Sequence, residues 1–125
     1  MSRRIRISAG SVSLPAALSE GPTADKLWAA LPIRGRASVW GEEIYFEIPL
    51  QALQEPNARE EMEAGEIAYW PPGSAFCIFF GPTPASADGT PRAASPVTPL
   101  GRVEGDASLF KAVPAGAQVR LERLP

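Results

Sequence analysis

The sequence predicts a mainly β fold in one domain, organised around a central hairpin. Three observations carry this reading. Gly 11 and Pro 14 among 125 residues point to many turns and against a helical bundle. Several short runs alternate apolar and polar residues with the period of two that marks a half-buried strand. The stretch from Gly65 to Pro84 holds the two most apolar runs of the chain, separated by Pro71-Pro72-Gly73. A chain of this length buries roughly two-thirds of its unfolded surface around one core, so residues 1–125 are expected to form a single unit.

From the start, Ile5 and Ile7 share one face and Arg4 and Arg6 the other, which predicts a strand over Arg3 to Ser8. Ala9-Gly10-Ser11 turns it back into a second strand carrying Val12, Leu14 and Ala16. Pro15 cannot donate to a ladder, which suggests an edge position or a strand end. Gly21-Pro22-Thr23 opens a helix, with Thr23 as the capping acceptor and Asp25 near the positive end of the dipole. Ala24, Leu27, Trp28 and Leu31 form its apolar stripe, Trp28 reads as a lid on the core, and Pro32 stops the helix.

Ala37 to Trp40 and Glu42 to Ile48 read as strands about a turn or bulge at Gly41. Adjacent strand residues face opposite ways, so Glu42 and Glu43 supply a solvated turn charge and one inward or rim carboxylate, not a converging pair. Gln51 to Ala64 is polar and acidic, a loop expected to contain one or two helical turns near Arg59. The central hairpin pairs Glu66 to Trp70 with Ala75 to Gly81, whose apolar character on both faces suits a strand covered on both sides. Pro82 to Pro99 shows no regular period and reads as a long loop, either mobile or lying over a pocket. Leu100 to Val103 returns as a short strand, Asp106 caps a helical turn through Lys111, and Ala117, Val119 and Leu121 mark a closing strand.

Composition excludes several functions. With Lys+Arg 12 and Asp+Glu 14, neither sign is concentrated enough for a nucleic-acid footprint or a membrane-binding patch. His 0 removes the usual general base, the usual zinc ligand and the histidine of nucleophile pairs. Cys77 is the single cysteine, without an internal disulfide partner, and its apolar neighbours make it a small core residue. No Gly-rich phosphate loop and no metal-ligand cluster stands out, so neither cofactor nor metal is expected. The start lacks an apolar signal region and no run is long enough to span a bilayer, giving a cytoplasmic expectation.

The order of elements and several blocks resemble the cyclophilin-like family of small bacterial and archaeal proteins. The resemblance rests on Thr23-Ala24 with Leu27-Trp28 and Leu31-Pro32, Trp40 to Phe46, Gly65 through Pro84, Ala94 to Val97, and Leu100-Gly101-Arg102. It implies a small closed β-barrel of about eight strands with one main helix and one or two short helical turns. Against true cyclophilins, Phe79-Phe80 resembles the strand lining the proline pocket and Gly101-Arg102-Val103 a neighbouring strand. Where cyclophilins carry Phe-His-Arg, this chain has Ile44-Tyr45-Phe46-Glu47. A prolyl isomerase must stabilise a twisted amide against a barrier of about 18 to 20 kcal/mol, and the donor for that task is missing from its place.

The candidate site is therefore an aromatic pocket lined by Phe46, Tyr69, Trp70, Phe79 and Phe80 and rimmed by Glu43, Thr83 and Ser95. The plainer alternative is that these aromatics simply fill a core. Three functions compete. The first is a binding module for a small-molecule or proline-containing peptide ligand. The second is an isomerase whose donor comes from Arg34, Arg36 or Arg102. The third is a structural protein acting through an apolar surface, for which an exposed Trp70 or Tyr69 would be the clue. A monomer and a homodimer are both compatible with the sequence.

Overall fold

The computed structural model describes residues 3–125. The predicted alternation at the start builds β1 (Arg4–Ala9) and β2 (Val12–Leu18), joined through Gly10 at φ 56°. Helix α1 (Pro22–Ala30) follows, then β3 (Ile33–Arg36), β4 (Ser38–Val39) and β5 (Glu43–Glu47). Next come β6 (Arg59–Glu61), β7 (Glu66–Trp70), β8 (Ala75–Phe79), the long β9 (Arg92–Val103) and β10 (Gln118–Arg123). Short 3-10 turns cover Pro71–Gly73 and Ala107–Ala112, the latter capped by Asp106, whose side chain accepts from the Ser108 N–H.

The ten strands form one antiparallel sheet in the order β3-β10-β1-β2-β9-β7-β8-β5-β4, with β6 paired to β9. Two of them, β3 and β6, lie where strands were not expected, which raises the count above eight. The ladder does not close into a barrel. Its two ends, β3 and β4, are successive pieces of one extended segment linked by Ala37, and consecutive residues cannot pair with themselves. The seam is packed by a side chain instead: a Cβ on Gly35 would lie 2.6 Å from the Phe46 ring.

Other expectations change with position. Pro15 lies in an internal strand, between β1 and β9. Its carbonyl accepts from Glu104 at 2.8 Å, so its nitrogen points the same way, toward the place where the β2–β9 ladder stops at Val103. Thr23 does not cap α1. Gly21 occupies the cap position, and the carboxylate of Glu55 accepts from the Thr23 N–H at 3.0 Å. The 51–64 segment contains no helical turn and gives β6 instead. The second half of the supposed 82–99 loop is strand β9, leaving residues 80–91 as the irregular part.

Alternation divides the apolar residues between two cores. Inside the curled sheet lie Ile5, Ile7, Leu27, Ile44, Phe46, Ile67, Tyr69, Phe76, Ile78, Phe80 and Phe110. On the other face of β5, β7 and β8, a smaller cluster of Met62, Ala68, Ala75, Cys77, Phe79, Ala93 and Val97 lies under the first half of β9 and the β6 segment. This second cover explains why β8 is buried at every position.

Candidate functional site

The outer face of the sheet carries a cleft of about 240 Å³ lined by Trp40, Glu43, Tyr45, Trp70, Ala93, Ala94 and Val97. Each wall follows from local structure. The β4–β5 hairpin turns through Gly41 at φ 60°, a conformation that costs a residue with a Cβ. A Cβ there would also lie 2.8 Å from the Thr83 backbone. Reciprocal bonds, Trp40 N–H to Glu43 O at 2.9 Å and Glu43 N–H to Trp40 O at 3.2 Å, then set Trp40 beside Glu43. Tyr45 follows two residues on, so it shares the outer face with Glu43.

Trp70 forms the wall opposite, from the end of β7. Its Nε1–H donates to Ser95 Oγ at 2.7 Å, and its ring closes over Gly73, where a Cβ would sit 2.8 Å from Cζ3. Both restraints hold the indole in place. Ala93, Ala94 and Val97 supply small apolar walls from β9, and Trp40, Tyr45 and Trp70 are all half-buried, open to the cleft and to solvent.

Glu43 is the one ionisable carboxyl in this lining, 5% exposed. Burial raises it from its ordinary 4.5 to about 7, a rise that the neighbouring Cys77 thiol opposes. Cys77 lies one strand over, opposite Tyr45, with the Ala75 carbonyl as the acceptor of its thiol at 3.9 Å. Burial and the Glu43 charge push the Cys77 thiol up, so it remains protonated and is a core residue.

A second buried carboxyl on the same face is treated differently. Glu66, 6% exposed, is also subject to burial, yet its carboxyl is held below the usual range. Arg59 meets it in a two-pronged pair at 3.0 and 2.5 Å, and the Glu63 N–H donates at 2.8 Å. Among the described residues no ion pair involves Glu43.

The residues expected from sequence do not converge on one pocket. Glu43 and Trp70 line the cleft, and Ser95 touches it by bonding the Trp70 indole. Phe79 faces the same side but lies beneath, fully buried in the outer core. Phe46, Tyr69 and Phe80 face the inner core on the opposite side of the sheet, because each is one residue out of phase with the outer face. Tyr69 uses its hydroxyl to bind the Leu50 carbonyl at 3.1 Å. Thr83 lies behind the hairpin and bonds the Arg92 carbonyl. Trp40, Tyr45, Ala93, Ala94 and Val97 went unread. The signal for the first two was present: a tight hairpin about Gly41 places Trp40 across from Glu43, and alternation places Tyr45 on its face.

A family model described as cyclophilin-like matches residues 3–122, a span that includes both cores and the whole cleft. The chain belongs to the cyclophilin-like family. It is also similar to a hypothetical protein from Archaeoglobus fulgidus of known solution structure, with 38% identity, TM-score 0.83, and coverage of 98% of this chain and 95% of that one. No curated protein matches it. Within this cyclophilin-like chain, no helix of the described residues is long and apolar enough to cross a membrane. Nor, among those residues, does any group of three or more His, Cys, Asp or Glu side chains stand ready to hold a metal ion.

Proposed function

We propose that this cyclophilin-like protein is a binding module that takes a small, largely apolar ligand in the outer-face cleft. The observation that carries the reading is the juxtaposition of three half-buried aromatic side chains with one nearly buried carboxyl in a recess open to solvent. Aromatic rings that only filled a core would be closed off, as Phe76 and Phe79 are at 0% exposure. The recess has room for roughly eight water volumes, enough for a ligand of metabolite or dipeptide size.

The isomerase reading has less support. Its donor would have to come from Arg34, Arg36 or Arg102, and none of these lines the cleft. Arg36 bonds the Gly116 carbonyl, and Arg102 pairs with Glu63. The third reading has less support as well: Tyr69 is 1% exposed, and the half-buried Trp70 lines the cleft.

The test is NMR of labelled protein with a panel of small aromatic and aliphatic compounds and X-Pro peptides. Shifts are expected at Trp40, Tyr45 and Trp70, and they should vanish in Ala94→Phe, which fills the recess from its exposed wall. Shifts confined to another face, or none across the panel, would overturn the reading. Accelerated cis/trans exchange of a peptide would favour the isomerase instead.

A further inference from the structure

Two buried carboxyls face outward on this sheet, and the fold supplies a counter-ion to only one. Arg59 reaches Glu66 from the β6 segment. Among the described residues nothing comparable reaches Glu43, although a cationic group is close in sequence to its neighbours. The Arg92 guanidinium, next to the lining residue Ala93, turns away to Glu60 at 2.8 Å, and Lys111 approaches Glu42, not Glu43, at 3.6 Å. Among the described residues, the groups around Glu43 are therefore uncharged: Trp40 and Tyr45 from the hairpin, Trp70 from β7, and Ala93, Ala94 and Val97 from β9 line the cleft, with the Cys77 thiol of β8 buried beneath.

Three aromatic walls around one unpaired carboxyl have a specific chemical meaning. Aromatic faces carry negative quadrupole potential and attract a cation that has shed its water, Trp most strongly. A carboxylate at the base adds the formal charge that balances such a guest. The walls are also held before any ligand arrives, Trp70 by Ser95 and Gly73, and Trp40 by the reciprocal hairpin bonds. Preorganisation of this kind lowers the ordering cost of binding. A neutral apolar guest would use the walls and leave the carboxyl unpaired.

We propose that the cleft is an aromatic cage for an organic ammonium ion, with Trp40, Tyr45 and Trp70 as its walls and Glu43 as its counter-charge. The inference rests on the cleft being a binding site and adds the class of ligand. The guest takes the place that Arg59 takes at Glu66. Because a cation favours the ionised carboxyl, its binding expels the Glu43 proton to solvent, and affinity rises as pH increases from 6 to 8.

The experiment compares choline chloride with its uncharged isostere 3,3-dimethyl-1-butanol at matched ionic strength, observed through the tryptophan indole N–H signals. Trp28 serves as the internal control, since it lies between Arg3 and Arg123 on another part of the surface. Choline is expected to move Trp40 and Trp70 and leave Trp28 unmoved. At pH 8 it should bind roughly tenfold more tightly than the alcohol, a preference that Glu43→Gln reduces and strips of its dependence on pH, leaving only the part due to the rings. Equal binding of the two compounds in the cleft overturns the cage and leaves the binding-module reading standing. The cage is likewise overturned if choline leaves Trp40 and Trp70 unmoved while uncharged compounds from the wider panel shift them. Silence of the cleft toward every compound overturns both.

Discussion

Glu43→Gln removes the charge from a site where burial, not a partner, controls ionisation. In the folded chain the carboxyl moves from its ordinary 4.5 to about 7. Between those values the folded protein holds a proton that the unfolded chain has released. Stability from this group is therefore fully present below pH 4.5 and is lost as pH rises through about 7. The displacement corresponds to about 3 kcal/mol at about 1.4 kcal/mol per pH unit, of which about 2.5 kcal/mol falls between pH 5 and pH 8. Glutamine keeps the shape and stays neutral, so the variant should escape that loss.

Urea unfolding of both proteins at pH 5, 6, 7 and 8 measures it, with the variant as the reference that cancels all other titrating groups. The chain helps, having no histidine to titrate in this window. The stability of Glu43→Gln minus that of wild type should grow by about 2.5 kcal/mol from pH 5 to pH 8, a large share of a typical total of about 5 to 15 kcal/mol. A difference that stays flat, or shrinks with pH, would refute the reasoning, because it would mean that the carboxyl is already charged and stabilised at pH 5.

Arg59→Ala should cost about 2 kcal/mol in urea unfolding at pH 7, because Glu66 then keeps its burial without its partner. The Glu66 carboxyl should also rise, which NMR titration would register. Glu55→Ala should cost about 1 kcal/mol and raise amide exchange at Thr23, the donor it leaves without an acceptor. Cys77 should resist thiol reagents in the folded protein and react at once in urea, given its 1% exposure. Fast labelling in native buffer would contradict the packing of the outer core.

What could be read from sequence was periodic or punctuated. Ile5 and Ile7, Val119 and Leu121, and the Leu27 stripe announced their elements because one face of each is buried and the other wet. The Pro71-Pro72-Gly73 turn announced the hairpin. Strand β9 was hidden by Pro96 and Pro99, which normally break strands. Pro99 stands opposite Ala68 at an irregularity in the β7–β9 register, where the ladder can spare a donor. The closed barrel was an inference from kinship, and the seam at Ala37 depends on a chain path that local pattern does not encode. The cleft was partly legible for a similar reason. Phe79 and Phe80 are adjacent and both apolar, and only the second cover over β8 decides that each belongs to a different core.

The placement of β10 governs how the chain can be assembled. Ile5 faces Arg123 in the interior of the sheet, so the first strand borders the last and the ladder has a gap until residue 123 is available. A polypeptide emerging from the ribosome can form the β7–β8 hairpin early, yet the inner core, which includes Val119 and Leu121, waits for the final strand. Contacts spanning almost the whole chain slow folding by their closure entropy. Loss of residues 118–123 would thus disable the centre of the molecule, whereas a cut in the 80–91 segment would leave both neighbours of β1 in place.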